Sequence, residues 1–236
     1  MNPRLENILA ATVKSFIKTG EPVSSNWLFN NYNFDIKPAM IRHELEELTE
    51  LGFLEQPHHS AGRVPSNRGY EFYIQTILED EALEPALDQE IVGFFISSDW
   101  SNFSTSLSKN LGLLSVIDPK SDDIVYKSGL ETLLDQISWE TTEEVRRVIK
   151  DFEEIDARIR KVSTNNMQKA GTMQIFIGQS PITDSQELSV IIERCDIGGD
   201  SIILAGVGPK RMNYKKVVKT FKGLKDIKNG RGRSKK

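Results

Sequence analysis

Residues 38–65 have the sequence Pro38-Ala-Met-Ile-Arg-His-Glu-Leu-Glu-Glu-Leu-Thr-Glu-Leu-Gly-Phe-Leu-Glu-Gln-Pro-His-His-Ser-Ala-Gly-Arg-Val-Pro65. Proline suits a first helical turn, and an apolar stripe follows it at helical spacing until Gly52. The runs 53–56 and 64–65 flank a polar loop that contains Gly62, and such runs predict two short strands. The segment therefore predicts an amphipathic helix that is followed by a β-hairpin.

Helices are also predicted on both sides of this segment. Apolar residues recur at helical spacing over residues 5–17, and Gly20 suits the left-handed position after a helix. The serine pair 24–25 offers a hydroxyl N-cap for a short helix over residues 26–31, and Ser66 caps a later one. The order helix, helix, helix, hairpin, helix is typical of a winged helix-turn-helix, whose third helix enters the DNA major groove.

Polar side chains of this first domain suit contact with DNA. With its apolar stripe buried, the first half of helix three presents Arg42 as the natural reader of a base or a phosphate. Small residues at the hairpin tip allow close backbone approach, and neighbouring His and Arg side chains can donate to phosphate oxygens. The candidate DNA-contacting residues are Ser24, Ser25, Lys37, Ala39, Met40, Arg42, His43, His59, Ser60, Gly62, Arg63 and Arg68.

Charge limits how this domain can bind. The chain has a formal net charge of −4, which argues against a general polyanion binder. Four glutamates, at positions 44, 46, 47 and 50, lie in the second half of helix three and would repel phosphates. We therefore expect only the first two turns to dock, and we expect a homodimer on an inverted repeat to supply the affinity that one copy lacks. The end of the chain, 208–236, carries twelve Lys and Arg against one Asp.

The second half of the chain predicts an α+β domain. An acidic run over residues 79–90 suggests a domain boundary. Helices segregated from runs of short strands favour a largely antiparallel sheet, and Gly206-Val-Gly-Pro209 reads as a tight exit turn. The chain is thus expected to divide into a winged-helix domain (1–80), a linker and helical segment (81–111), an α+β domain (112–226) and a disordered basic tail (227–236).

Signals of catalysis, metal binding and membrane insertion are absent from the sequence. It has no nucleophile elbow, no His-Glu-x-x-His and no phosphate-binding loop. The adjacent His58 and His59 would point apart on an extended chain, so a metal site with His43 is not expected. The single cysteine, Cys195, is expected to be a small buried residue beside a strand. We expect no cofactor, no enzymatic activity, no membrane segment and a cytoplasmic location.

At four places the first domain resembles one known family. The matching motifs are Glu21-Pro-Val-Ser-Ser25, Pro38-Ala-Met-Ile-Arg-His-Glu-Leu45, Leu48-Thr-Glu-Leu-Gly-Phe-Leu-Glu-Gln-Pro57 and His59-Ser-Ala-Gly-Arg-Val-Pro-Ser-Asn-Arg-Gly-Tyr70. Further matches are Gly129-Leu-Glu-Thr-Leu-Leu134, Glu187-Leu-Ser-Val-Ile191 and Gly206-Val-Gly-Pro-Lys-Arg-Met-Asn-Tyr214. In these blocks the chain resembles the HrcA family of bacterial heat-inducible transcription repressors.

The resemblance implies a fold, a function and partners. It implies a dimeric winged-helix repressor with a GAF-like second domain, which binds an inverted-repeat operator upstream of chaperone genes and is kept active by the GroE chaperonin. Family members usually carry Thr at the position of Met40 and Asn at that of His43, so a different operator sequence is expected here. The chain is also shorter than typical members between about Leu113 and Ile124, where most of an inserted dimerisation segment is missing.

Two other functions fit parts of the sequence. Winged helices also serve as docking domains, and the acidic half of helix three would suit a protein partner. A GAF-like domain can also hold a small molecule in an apolar pocket, although no residue cluster over 112–224 marks a ligand. Salt-sensitive, sequence-selective DNA binding would separate the repressor from both.

Overall fold

The computed structural model describes residues 1–136, 141–164, 172–197 and 200–228. These residues form two compact units, which meet in the sequence between Glu81 and Ala82. Among the described residues, no helix is long and apolar enough to cross a membrane.

The first unit has the element order predicted from the sequence. Asn2 caps the first helix by accepting a hydrogen bond from the Leu5 amide at 2.8 Å, and Gly20 ends it with a φ of 75°. Ser24 and Ser66 cap the second and fourth helices through their hydroxyls. The elements are α1 (Pro3–Thr19), α2 (Ser25–Asn31), α3 (Pro38–Glu50), β1 (Leu54–Glu55), β2 (Val64–Pro65) and α4 (Asn67–Glu79). Strands β1 and β2 pair antiparallel, so the unit is a winged helix in which residues 54–65 form the wing.

The second unit is a five-stranded sheet covered by helices. Its elements are α5 (Gln89–Ile96), α6 (Trp100–Leu111), β3 (Leu114–Pro119), β4 (Tyr126–Ser128), α7 (Leu130–Gln136), α8 (Thr142–Thr164), β5 (Met173–Ile177), β6 (Leu188–Ile197), β7 (Asp200–Pro209) and α9 (Tyr214–Lys228). The strand order is β4-β3-β7-β6-β5, and every neighbouring pair is antiparallel. The predicted α+β class, with a winged helix ahead of a largely antiparallel sheet, is confirmed.

The two faces of this sheet pack against different helices. Ala205 and Val207 of β7 belong to one buried apolar cluster with Ile155 and Ile159 of α8. Gly206 lies between them and faces the other way, because a Cβ there would lie 3.6 Å from the Phe221 ring of α9. Side chains alternate between faces along a strand, so α8 covers one face of the sheet and α9 the other.

Helix α8 is tied to the loop before β6 by a buried carboxylate. Asp151 is 2% exposed and accepts hydrogen bonds from the amides of Asp184 at 2.8 Å and Ser185 at 2.9 Å. Arg158 donates to the same carboxylate at 3.1 Å. A further hydrogen bond from Arg158 lowers the pKa of Glu154. The loop therefore depends on a side chain in the middle of the helix.

Several expectations for the second unit are corrected. The segment Gly206-Val-Gly-Pro209 forms the last four residues of β7 and is not an exit turn. Its glycines leave space in which the side chains of Leu113 and Met212 pack against the strand. Helical spacing of the apolar residues over 145–155 would place Ile149 inward beside Val148, but Ile149 is 41% exposed. The residues set apart as a linker and helical segment, 81–111, contain two helices that carry the buried side chains of Phe95 and Phe103, and residues 82–111 fall within the second unit.

The cysteine, the last helix and the connection between β3 and β4 can also be compared with the predictions. Cys195 is buried in β6, 2% exposed, which confirms that expectation. Helix α9 continues to Lys228, two residues into the stretch expected to be a tail, and residues 229–236 of that stretch lie outside the described residues. Between β3 and β4 the chain needs only residues 120–125, where the resemblance placed the missing insertion.

Candidate nucleic-acid interface

Helix α3 separates into a buried face and an exposed face. Ile41, Leu45 and Leu48 are buried at 0–3% exposure, which fixes the rotation of the helix in its unit. Ala39, Met40, Arg42 and His43 are exposed, and Lys37 stands at its N-cap position. This arrangement agrees with the face predicted for base contact. Met40 is 42% exposed.

A groove brings together seven of the twelve candidate residues. It runs between the start of α2, the outer side of α3 and the wing, and we call it the wing groove. Its volume is about 450 Å³. Its lining consists of Val23, Ser24, Ser25, Arg42, Leu45, Glu46, Gln56, His59, Ser60, Ala61, Gly62 and Arg63. Residues far apart in sequence thus present hydroxyl, imidazole and guanidinium donors to one space.

The base of the wing is joined to the chain just before α2. The amide of Val23 donates to the Arg63 carbonyl at 2.9 Å, and the amide of Arg63 donates to the Val23 carbonyl at 2.8 Å. This two-bond bridge requires a close approach at Gly62, where an added Cβ would lie 2.5 Å from both the Val23 carbonyl carbon and its oxygen. Glycine is therefore needed here for space.

Arg63 is also fixed by its side chain. Its Nε donates to the Thr49 hydroxyl of α3 at 2.9 Å, so one residue connects the wing, α3 and the start of α2. The terminal nitrogens of the guanidinium are not used in that bond. The wing and α3 are consequently held in a defined relative position within the first unit.

The tip of the wing is closed by a side chain that the sequence analysis overlooked. The Gln56 amide nitrogen donates to the His59 carbonyl at 3.0 Å and to the Ala61 carbonyl at 3.1 Å. The Ala61 amide donates to the His58 carbonyl at 2.8 Å. Gln56 stands at the end of a predicted strand. Nothing in the sequence indicates that its side chain turns to bind the loop carbonyls three and five residues later. Thr49 was missed because its partner, Arg63, lies fourteen residues away in the sequence.

Arg42 is exposed and oriented by its own helix. Its Nε donates to the Glu46 carboxylate, one turn later, at 3.3 Å. The Arg42 side chain is 76% exposed and that of Glu46 47%. An exposed ion pair of this kind has a small interaction energy, so Arg42 can turn to another anion at little cost.

Arg68 and Glu44 occupy other places than the sequence suggested. Arg68 donates to the Leu51 carbonyl at 2.7 Å and its guanidinium lies 4.3 Å from the centre of the Phe53 ring, so it caps the C-terminal end of α3 and does not line the wing groove. Glu44 was expected to repel phosphates but is 2% exposed and accepts from Arg4 at 2.8 Å. Its charge is thus directed into the unit and paired.

The described residues contain no group of three or more His, Cys, Asp or Glu that could hold a metal ion. His58 forms a hydrogen bond between its Nδ1 and the Ser60 hydroxyl at 3.2 Å, while the predicted contact residue His59 lines the wing groove. These imidazoles stand beside hydroxyl and guanidinium groups. The chemistry that this surface offers is the donation of hydrogen bonds to an anionic ligand.

Comparisons with known proteins identify relatives of this chain. The family described as "HrcA protein C terminal domain" matches residues 76–218. "Heat-inducible transcription repressor HrcA" of Symbiobacterium thermophilum is 36% identical over 115 residues, 49% of this chain and 33% of that protein. The protein of the same description from Natranaerobius thermophilus is 46% identical over 78 residues, 33% of this chain and 23% of its own length. The matched parts thus span a third or less of these relatives.

A solved structure shares the fold along the whole chain. It is the crystal structure, at 2.2 Å resolution, of a protein described as hypothetical. The superposition covers 98% of this chain and 98% of that one, with a TM-score of 0.77 and a sequence identity of 16%. At that identity the likeness concerns the fold alone.

Fold and surface together define a two-domain winged-helix protein, in which a helix-turn-helix with a wing precedes an antiparallel α+β domain. The family match covers more than half of the residues and includes most of the second unit. The chain belongs to the HrcA family.

Proposed function

We propose that this protein is a transcriptional repressor of heat-shock genes, which binds an inverted-repeat operator ahead of chaperone genes as a homodimer. The proposal is supported by membership of the HrcA family and by relatives described as heat-inducible transcription repressors. The observation that carries it is the wing groove, which joins donors from α2, α3 and the wing beside the exposed start of α3. The protein acts in the cytoplasm, where bacterial DNA lies.

Recognition uses two surfaces of the first unit. Ala39, Met40 and His43 on the exposed side of α3 face base edges, whereas the wing groove and Lys37 meet the backbone. A thymine methyl suits the apolar end of Met40, and His43 can donate to or accept from a base edge. Met40 and His43 thus select an operator sequence that differs from the one read by family members with Thr and Asn at these positions. Activation by the GroE chaperonin, which the family resemblance implies, belongs to the same proposal.

The experiment is a selection of DNA by the full chain. A random-sequence duplex pool is passed over the purified protein, the bound fraction is sequenced, and the enriched duplex is compared with a scrambled duplex at two salt concentrations. We expect an enriched inverted repeat, bound selectively and with an affinity that falls steeply with salt. Transcription in vitro from a promoter that contains the enriched repeat is expected to decrease when the protein is added. Enrichment of no sequence would contradict the proposal.

A second candidate is a protein-docking winged helix. Glu46 and Glu50 are exposed on the second half of α3, and a basic partner surface would pair with them. In that case the duplex pool would bind weakly, if at all, and without a preference among sequences.

A further inference from the structure

The wing groove has the composition of an anion site. Its lining residues include Arg42, Arg63 and His59, together with three serines, Ser24, Ser25 and Ser60. A single carboxylate, that of Glu46, opposes them. Such a set of hydroxyl and guanidinium donors suits phosphate oxygens, which accept hydrogen bonds and carry negative charge.

The donors keep the hydrogens that a phosphate needs. The Ser24 hydroxyl accepts from the Trp27 amide at 3.1 Å, a bond that does not use the hydroxyl hydrogen. Arg63 commits Nε to Thr49, and Arg42 commits Nε to Glu46. Both guanidinium groups are thus oriented by a neighbour through one nitrogen, while their terminal nitrogens are not part of those bonds. The Arg63 guanidinium is therefore held in place before an oxyanion arrives, and Arg42 can turn toward the ligand at little cost because its ion pair is exposed.

The position of Arg42 around α3 separates it from the base-facing side chains. Successive residues of an α-helix are rotated by about 100°, so Met40 and Arg42 lie on opposite flanks of the exposed surface, with Ala39 and His43 between them. Arg42 lines the wing groove, and none of the other three does. When Ala39 and His43 face the floor of the major groove, Arg42 is on the side of the wing.

We propose that the wing groove holds one phosphate of the DNA backbone and that Arg42 is a phosphate-binding residue, not a reader of bases. This inference rests on the proposed function, because it names the part of the DNA that this site takes. Arg63 and Ser24 hold the same phosphate from the other walls of the groove. The weak, exposed bond from Arg42 Nε to Glu46 leaves the terminal nitrogens of the guanidinium to the ligand. Selectivity among sequences then comes from Ala39, Met40 and His43.

The test is a salt titration of the full chain with the selected duplex and a scrambled duplex. Removing one phosphate contact lowers the slope of log affinity against log salt by about 0.9. Arg42→Ala removes one such contact from each subunit of the dimer, so the slope should fall by about 1.8, which at 0.1 M salt is about a sixtyfold loss. We expect Arg42→Ala to show this loss on both duplexes. Lys14→Ala removes one exposed positive charge elsewhere in the first unit and controls for general charge effects. His43→Ala should instead lower the ratio of the two affinities.

A second measurement locates the phosphate. Each phosphate of one half-site of the selected duplex is replaced in turn, together with the symmetry-related phosphate of the other half-site, by an uncharged methylphosphonate. At one phosphate per half-site the replacement should weaken wild type by about the same factor as Arg42→Ala, and should have no further effect on Arg42→Ala. Equal sensitivity of wild type and Arg42→Ala at every phosphate would overturn the inference. So would a loss by Arg42→Ala that is confined to the selected duplex.

The outcomes separate this inference from the proposed function. A loss confined to the selected duplex leaves the sequence-specific repressor standing and overturns the phosphate assignment. Binding without preference among sequences, with the loss and slope change of Arg42→Ala present, overturns the specific repressor and supports the phosphate site. Absence of DNA binding by the full chain overturns both.

Discussion

Gly62 shows how one residue determines the position of the wing. Its backbone lies against that of Val23, so the methyl group of Gly62→Ala would require the two chains to separate. We expect this substitution to lower the local free energy of unfolding by about 1–3 kcal/mol and to weaken DNA binding. Hydrogen exchange of the full chain, read over residues 22–31 and 58–65, measures the change.

A matched glycine provides the control. Gly93, in α5, would place its Cβ with nothing within 4 Å. Gly93→Ala should therefore increase protection of α5 by about 0.5–1 kcal/mol, since alanine favours a helix over glycine. Unchanged protection of the wing in Gly62→Ala would contradict the close approach described above.

The ion pair of Arg4 with Glu44 gives a second prediction at this scale. Glu44 is buried and Arg4 is 46% exposed at its side chain, so Arg4→Ala leaves a buried carboxylate without its charged partner. We expect a loss of about 1–3 kcal/mol, at the lower end because Arg4 is partly solvated. Urea unfolding of residues 1–81, followed by the fluorescence of Trp27, measures it.

Arg42→Ala is the natural comparison, because its pair with Glu46 is exposed at both ends. We expect this change to remain within about 0.5 kcal/mol. Equal losses from the two substitutions would mean that burial of Glu44 does not matter. The comparison also establishes that Arg42→Ala is folded when it is used with DNA.

Residue roles were only partly predictable from the sequence. Helical spacing placed Ile41, Leu45 and Leu48 inward correctly. The same spacing did not reveal that Glu44, which lies among them, is also buried, because the partner that permits this is Arg4, forty positions away. Arg68 was similarly assigned to DNA from its charge alone, whereas its carbonyl and ring partners become visible only in three dimensions.

At the scale of elements, the wing is a short hairpin whose tip depends on Gln56. Gln56→Met keeps the length of the side chain but removes both donations to the tip carbonyls. We expect the tip to lose about 1 kcal/mol of local stability, with faster amide exchange over residues 58–63 and weaker binding to selected and scrambled DNA alike.

Gln75→Met serves as the control for the wing, because Gln75 donates to Glu79 on the exposed side of α4. It should leave exchange in the wing and the affinity for DNA unchanged. A change of sequence preference by Gln56→Met, without loss of general affinity, would show that the wing reads bases.

The connection between α8 and the loop before β6 is tested in the second unit. Asp151→Asn removes the charge that Arg158 and two backbone amides share, and it places an NH₂ group where donors already point. We expect a loss of about 2–4 kcal/mol, measured by urea unfolding of the full chain with circular dichroism. Glu153→Gln, an exposed change on the same helix, should remain within about 0.5 kcal/mol.

The elements themselves followed well from local sequence where caps and periodicity agreed. Ser24, Ser66 and Gly20 marked helix ends that the structure has. Local sequence failed where a tertiary neighbour decided the conformation. Glycines at 206 and 208 read as a turn, yet they lie in β7 because the side chains of Leu113 and Met212 fill the space beside them.

At the scale of the whole molecule, the two units have separate cores and separate tasks in the proposed function. The first unit has its own buried core, which includes Leu9, Leu28 and Ile74, so residues 1–81 form a reasonable fragment. A single winged helix offers one recognition helix and one wing, a small contact with DNA. In the proposed function, tight binding comes from two first units at the spacing of an inverted repeat, and we propose that the second unit holds them there.

This division predicts how temperature affects binding. At low temperature the full chain should bind the selected inverted repeat about 10²–10⁴-fold more tightly than residues 1–81, because linked sites act at a high effective concentration. On a duplex with one half-site the difference should disappear. On heating, the advantage of the full chain should vanish at the temperature at which circular dichroism shows the second unit unfolding, while residues 1–81 still bind weakly. If residues 1–81 bind the inverted repeat as tightly as the full chain at every temperature, the second unit neither pairs the first units nor releases the DNA.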